Sequence, residues 1–473
     1  MFAGRHRDLD LLGQEWKRVA ETGRGRAIVV TGRRRVGKSR LVQEFVDHAG
    51  CASVVFQATR RRHLDAERAE FLRTVAETGS PGGELVAGVT ASDWNQALRM
   101  LALALPSDAP SIVVLDEVPW LMEQDPEFEG ALQTTWDRNL SALPVLLLLV
   151  GSDASVMEAL QRHDRAFYGR AAAMTVEPLN PADVQEITAL GAAEAIDAWL
   201  ITGGFPEVAM SWPAGASRGE FLAQSLANPL SPLLVSAQLT LMSEFAEPSV
   251  ARAVLEAVGA GERSFSAIAN AAGGGTAVPS GSLGPVLKAL VDSRVLAVET
   301  PLSTVPDTRN KRYRVADPYL RFWLAFGPQV VALAERGRAD VALARIERSW
   351  TSWRGRAVEP LVRECLARLL PDARWPDVMA VGGWWNRANN PEIDLVGADH
   401  EPVARQVCFA GSIKWREDQP FSRQDFSALA RSVGTAPSLP DDAELVVVSR
   451  AGVAKGVPAA AAWGPEDLVA VWR

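Results

Sequence analysis

Residues 32 to 39, Gly-Arg-Arg-Arg-Val-Gly-Lys-Ser, have the spacing G-x-x-x-x-G-K-S and directly follow the β-branched run Ile28-Val29-Val30-Thr31. A glycine at either end lets the backbone curl, so that the N–H groups from Gly32 through Arg33, Arg34, Arg35, Val36 and Gly37 turn inward on phosphate oxygens. The helix that follows brings the positive end of its dipole to the same place. Lys38 then supplies a mobile point charge to the β- and γ-phosphates and Ser39 a hydroxyl to a Mg²⁺ ion, with Arg40 in the same first helical turn. The segment reads as a strand running into a phosphate loop that binds a nucleoside triphosphate.

Such chemistry needs an acid opposite the loop. Ser111-Ile112-Val113-Val114-Leu115 is an apolar, β-branched strand that ends in Asp116-Glu117, and the carboxyl edge of a parallel sheet is where α/β folds place ligands. Asp116 is the partner of the Mg²⁺ held by Ser39, and Glu117 can polarise the water that attacks the γ-phosphate. A further strand, Leu146 to Val150, ends in Gly151-Ser152-Asp153. Ser152, with Asp153 second, is the candidate polar residue beside the γ-phosphate; both are also suited to capping a helix that starts near Ser155. Arg170, in Tyr168-Gly169-Arg170, is a candidate to stabilise transition-state charge, in its own subunit or a neighbouring one.

The elements that must hold these groups follow from pattern. Ser39 to His48 has helical spacing, Ser53 to Gln57 is a second strand, and residues 180 to 240 are alanine- and leucine-rich with helical periodicity. At 473 residues and 48% apolar composition the chain holds several cores, at about 150 residues each. No apolar run approaches the ~20 residues of a membrane span. The start, Met1 to Arg7, lacks the apolar centre of a secretion signal, and three scattered cysteines have neither disulfide nor metal spacing. Both features lead to an expectation of a cytoplasmic protein. The net charge of −8 argues against coating nucleic acid non-specifically.

Phe2-Ala3-Gly4-Arg5 before an acidic helix, the phosphate loop, Leu115-Asp116-Glu117, Gly151-Ser152, Tyr168-Gly169-Arg170 and Thr202-Gly203-Gly204-Phe205-Pro206 occur in an order that resembles the archaeal-type ATPases of the STAND and AAA+ neighbourhood. The resemblance implies ATP as the nucleotide, Gly4 and Arg5 near the adenine, and Gly203 to Pro206 in a helical lid over the nucleotide. On the residues alone, Gly203 to Pro206 is only a break between helices.

Beyond residue 250 the pattern changes. Helical stretches at 251–258, around 264–269 and at 282–292 precede Val295-Leu296-Ala297-Val298 and Tyr313-Arg314-Val315, which read as a hairpin around a basic loop. Three helices and a hairpin make a winged helix-turn-helix. Its loop carries Arg309, Lys311, Arg312 and Arg314, and its reading helix only Lys288. Contact with double-stranded DNA would therefore be to phosphates through the wing; a protein-binding spacer is the other reading. Tyr319, Phe322 and Trp323 are expected as a buried junction, in a stretch that also resembles the family. The last domain resembles a PD-(D/E)XK nuclease at Asp394, Lys414 and Glu359, but Ser412 stands where the second metal-binding acid belongs, and Glu392, expected on the opposite face of the strand, is not counted as its substitute. A hydroxyl does not supply the charge that recruits a hard divalent ion, so a degenerate nuclease fold kept for binding is expected.

The expected architecture is therefore α/β: an AAA+-like P-loop NTPase core at 1–178, a helical lid at 179–245, a winged helix-turn-helix at 246–325 and a restriction-endonuclease-like domain at 326–473. The expected function is that of a Mg²⁺-dependent ATPase acting as a nucleotide-driven switch, coupled to DNA, to a protein partner or to further copies of the chain, with no membrane partner. Two rivals stand beside it: an ATP-regulated, metal-dependent nuclease of a defence or repair system, and a non-hydrolysing module stabilised by nucleotide.

Overall fold

A computed structural model describes residues 2–78, 82–244, 250–307, 309–388, 390–436, 438–440 and 443–473. The contacts gather into two units, Met1–Pro178 and Leu179–Arg473.

The first unit is built on a five-stranded sheet in the order β2-β3-β4-β1-β5, formed by β1 (Arg26–Thr31), β2 (Ala52–Gln57), β3 (Ser111–Asp116), β4 (Val145–Val150) and β5 (Ala171–Thr175). Every pairing is parallel. Strands covered by helices on both faces lose the polar alternation of a half-exposed strand; accordingly the sequences of β3, Ser-Ile-Val-Val-Leu-Asp, and β4, Val-Leu-Leu-Leu-Leu-Val, are buried along their whole length. Strand β5, Ala-Ala-Ala-Met-Thr, escaped the sequence reading. It lies at the edge beside β1 and is mostly exposed, so it carries almost no apolar signal and owes its conformation to pairing. Because the strands are parallel, the ends of β1, β3 and β4 bring Gly32, Asp116 and Gly151-Ser152 to one edge of the sheet.

The second unit begins with helices Pro181–Thr188, Ala192–Thr202, Pro206–Met210, Arg218–Ala227 and Pro232–Glu244. Three more, Val250–Gly259, Phe265–Ala272 and Ser280–Asp292, lead into an antiparallel pair, β6 (Leu296–Glu299) and β7 (Arg312–Val315). The expected domain boundary at 245 and 246 lies outside the described residues. Helices Pro318–Glu335, Ala339–Ala357 and Glu359–Leu369 then lead into a second five-stranded sheet, ordered β12-β11-β10-β9-β8. Its strands are β8 (Ala380–Trp385), β9 (Glu392–Ala398), β10 (Val407–Lys414), β11 (Glu444–Ser449) and β12 (Ala461–Trp463). The sheet is mixed: β8, β9 and β10 pair antiparallel, whereas β10, β11 and β12 pair parallel.

Ala192, Ile196 and Leu200, in the stretch expected to form a lid, share one core with Leu361, Val362 and Leu366 of helix Glu359–Leu369 and with Leu395, Ile413 and Val448 of the second sheet. A buried ion pair reinforces this core: Arg354 Nη1 donates to Asp197 Oδ2 at 2.8 Å, and Trp415 Nε1 to Asp197 Oδ1 at 3.1 Å. Tyr319, Phe322 and Trp323 are buried, and the Tyr319 hydroxyl donates to the carbonyls of Pro232 and Leu233 and accepts from the Ala237 N–H.

Candidate functional site

The phosphate loop leaves β1 at Gly32, whose φ of +149° and whose hypothetical Cβ, 2.4 Å from the Val176 carbonyl oxygen, leave no room for a side chain. Helix Lys38–Ala49 starts at Gly37. Lys38 is buried; its Nζ donates to the carbonyls of Gly32 at 2.7 Å and Arg33 at 2.9 Å, so the ammonium sits inside the curl of its own loop. Burial lowers its pKa from the ordinary lysine value, while the carboxylates of Glu117 and Asp116 pull it back up.

Facing it is a chain of hydrogen bonds that joins three separate segments. Ser39 Oγ donates to Asp116 Oδ2 at 2.7 Å, the Glu117 N–H to Asp116 Oδ1 at 2.9 Å, and Ser152 Oγ lies 3.1 Å from both Glu117 Oε1 and Glu117 Oε2. Glu117 has left-handed backbone angles, φ 56° and ψ 43°, a conformation that costs a non-glycine residue energy and is found where a side chain must be aimed. Gly151 is required for the same reason of space: a Cβ there would lie 2.5 Å from Met157 Sδ and 2.7 Å from Pro119 Cδ. Asp153 is the N-cap of helix Ala154–Ala159, accepting from the N–H groups of Ser155 and Val156. The hydroxyl of Ser152, not the Asp153 carboxylate, therefore faces Glu117.

The donor set suits Mg²⁺ with nucleotide. The Ser39 hydroxyl and Asp116 carboxylate are adjacent hard oxygen ligands, as the small ion prefers, and the remaining positions would be filled by phosphate oxygens and water.

Other residues expected at the site lie differently. Arg5 is buried, and its guanidinium donates to the Glu177 carbonyl at 2.8 Å, to Asp8 at 2.9 Å and to the Val36 carbonyl within the phosphate loop. This clamp, made to carbonyls far away in sequence, leaves no sequence signal. Val36 is buried, Arg34 and Arg35 are exposed, and Arg35 has a positive φ of 65°. Arg40 pairs with Glu44 on the outer face of its helix at 3.1 Å, so its side chain is committed along that helix. Arg170 is not brought to the hydrogen-bonded chain: its Nε and Nη2 each donate to Asp137 at 2.8 Å, and its Nη1 donates to the carbonyls of Ala166 and Tyr168.

In the second sheet, Asp394 Oδ2 accepts from Ser412 Oγ at 2.9 Å and from the Ile413 N–H at 2.8 Å. The serine that replaces the expected acid thus satisfies the acid that remains. Glu392 lies two residues before Asp394 and so shares its face of β9 rather than pointing to the opposite one as expected, but both its oxygens accept from Arg312. The Glu359 carboxyl is pushed up to about 7 by burial, opposed by Arg363 and abetted by Asp394. Among the described residues no cluster of histidine, cysteine, aspartate or glutamate has the arrangement of a metal site.

Arg312 corrects the reading of the wing. It is buried, its guanidinium lies 4.2 Å from the ring centroid of Trp385, and it is paired with Glu392. A phosphate-contacting side chain must be exposed, and in this structure Arg312 is held inside the protein. Arg314 is likewise paired with Glu299, at 2.6 Å, and Lys288 with Asp292. No helix among the described residues is long and apolar enough to cross a membrane.

Residues 2–210 match a family described as an ATPase domain predominantly from Archaea, and residues 323–428 match a family of archaeal and bacterial proteins of unknown function. An uncharacterised protein of Methanocaldococcus jannaschii is 22% identical over 436 residues, 88% of each chain. Among solved structures, a Walker-type ATPase of Pyrococcus abyssi is 19% identical, with a TM-score of 0.45 over 66% of this chain and 95% of its own. The ORC2 protein of Aeropyrum pernix, solved with ADPNP and ADP, is 14% identical, with a TM-score of 0.44 over 72% of this chain and 95% of its own.

Proposed function

We propose that this chain, whose residues 2–210 match a family described as an ATPase domain predominantly from Archaea, binds ATP with Mg²⁺ and hydrolyses it, using the turnover to switch its contact with DNA or a protein partner. The observation that carries this reading is the hydrogen-bonded chain from Ser39 through Asp116 and Glu117 to Ser152. It sets a carboxylate for water activation beside the phosphate loop that would hold the γ-phosphate.

Each residue has its own part. The loop N–H groups and Lys38 bind the phosphates, and to do so Lys38 exchanges the carbonyls of Gly32 and Arg33 for phosphate oxygens. Ser39 and Asp116 would hold Mg²⁺, which when bound neutralises charge on the β- and γ-phosphates. Glu117 orients and deprotonates the attacking water. Ser152 holds the Glu117 carboxylate in place and is positioned to exchange that bond for the γ-phosphate. Arg5 fixes the loop through Val36, and the backbone at Gly4 and Arg5 would lie by the adenine. Arg170 can stabilise transition-state charge only after leaving Asp137.

DNA is the favoured partner because Arg309 and Lys311 remain on the exposed loop between β6 and β7. The nuclease-like sheet serves binding, since Ser412 and Ile413 occupy the Asp394 oxygen that cleavage chemistry would need. The test is ATP hydrolysis by the purified protein with Mg²⁺, with and without a DNA duplex, beside Lys38→Ala. Turnover that rises with DNA and vanishes in the variant is expected; equal turnover in the variant would defeat the assignment of the site, and turnover indifferent to DNA would defeat the coupling.

A further inference from the structure

Arg312, which the sequence assigns to DNA contact through the wing, is bonded instead to the nuclease-like sheet. Arg312 on β7 binds both oxygens of Glu392 on β9, and Arg263 lies 3.7 Å from the same carboxylate. From the opposite direction, Arg363, on the helix before the sheet, reaches Glu299 on β6 at 3.2 Å, and Arg314 meets that same carboxylate. Charged contacts are joined by others to backbone carbonyls: the Leu302 N–H donates to the Gly383 carbonyl, the Ala404 N–H to the Ser303 carbonyl, and the Trp385 side chain through Nε1 to the Asn310 carbonyl, all at 2.9 Å. Leu302, in the wing loop, is counted in the apolar core of the second sheet.

We infer that the carboxylates of Glu392 and Glu299 act as an internal stand-in for DNA phosphates, holding the arginines of the winged module so that a polyanion must compete with the protein's own acids for them. The pairing chemistry is that of a guanidinium with a phosphate: planar, two-pronged and charge-assisted. Burial opposes ionisation of both acids, yet the neighbouring arginines hold each carboxyl below its ordinary pKa. Both are therefore fully charged at neutral pH. The inference rests on the DNA reading above and adds the mechanism that restrains it.

Two measurements on the full chain test it: hydrogen exchange of amides in residues 296–307 and 309–315, and affinity for a labelled DNA duplex at low salt. The variants are Glu299→Gln/Glu392→Gln and the same pair with Arg312→Ala; ATPase activity without DNA should be unchanged in both and reports that the protein is folded. With the two acids neutralised, hairpin exchange should quicken and duplex affinity should rise about tenfold, with the rise lost when Arg312 is also removed. Unchanged hairpin exchange would overturn the inference. So would faster exchange with no gain in affinity. If wild type and variants bind duplex equally, the inference alone fails; if neither binds duplex at all, the DNA reading fails with it.

Discussion

Glu117 holds a costly left-handed backbone, and its carboxylate accepts from Ser152; the general-base role proposed for it would contribute about 10² to 10⁴ in rate. Glu117→Gln should therefore reduce ATP turnover by that range while leaving ATP affinity within a few-fold of wild type. Ser152→Ala, which removes only the hydroxyl, should lower the rate without changing KM, as steady-state kinetics of the variant would record. Glu359 allows a prediction in pH. Its folded-state pKa of about 7 lies above its ordinary value of 4.5, so between those values the folded chain retains a proton that the unfolded chain has lost. Stability must fall as pH rises through that window and level off above it. Glu359→Gln should flatten the decline, which denaturant unfolding across pH will show.

At the scale of elements, the legible parts of the sequence were those with a strong local pattern. Strands β1, β3 and β4 are buried and β-branched or leucine-rich, β2 is half-buried with Val54, Val55 and Phe56 in sequence, and the phosphate loop has a spacing that few other structures share. Strand β5 was missed because an alanine-rich edge strand has no periodicity of its own. The Arg5 clamp and the Arg312–Glu392 pair were missed because each joins residues whose neighbours in sequence say nothing of their neighbours in space. The same holds for Arg354 and Asp197, separated by 157 positions and both buried. Removing one partner leaves a charge buried, so Arg354→Leu should cost about 3–5 kcal/mol. Asp197→Asn/Arg354→Leu should recover part of that loss, since no uncompensated charge remains. Chemical denaturation of the single and double variants gives the comparison.

For the whole molecule, the first helices and the last sheet of the second unit are packed around one core. Calorimetry should accordingly find residues 179–473 unfolding without a separate early transition for the helices between 181 and 244. Saturating ATP, at roughly one hundred times its Kd, should stabilise the unit that carries the phosphate loop by about 2.7 kcal/mol, and Lys38→Ala should abolish that shift. Everything further in the proposed cycle depends on the site performing hydrolysis. The direct measurement is phosphate release from saturating ATP and Mg²⁺ by wild type and Glu117→Gln, with nucleotide affinity determined on the same samples. Turnover by the wild type that collapses in a variant still able to bind ATP is the predicted result; equal release by the two proteins, or none by the wild type despite ATP binding, would contradict it.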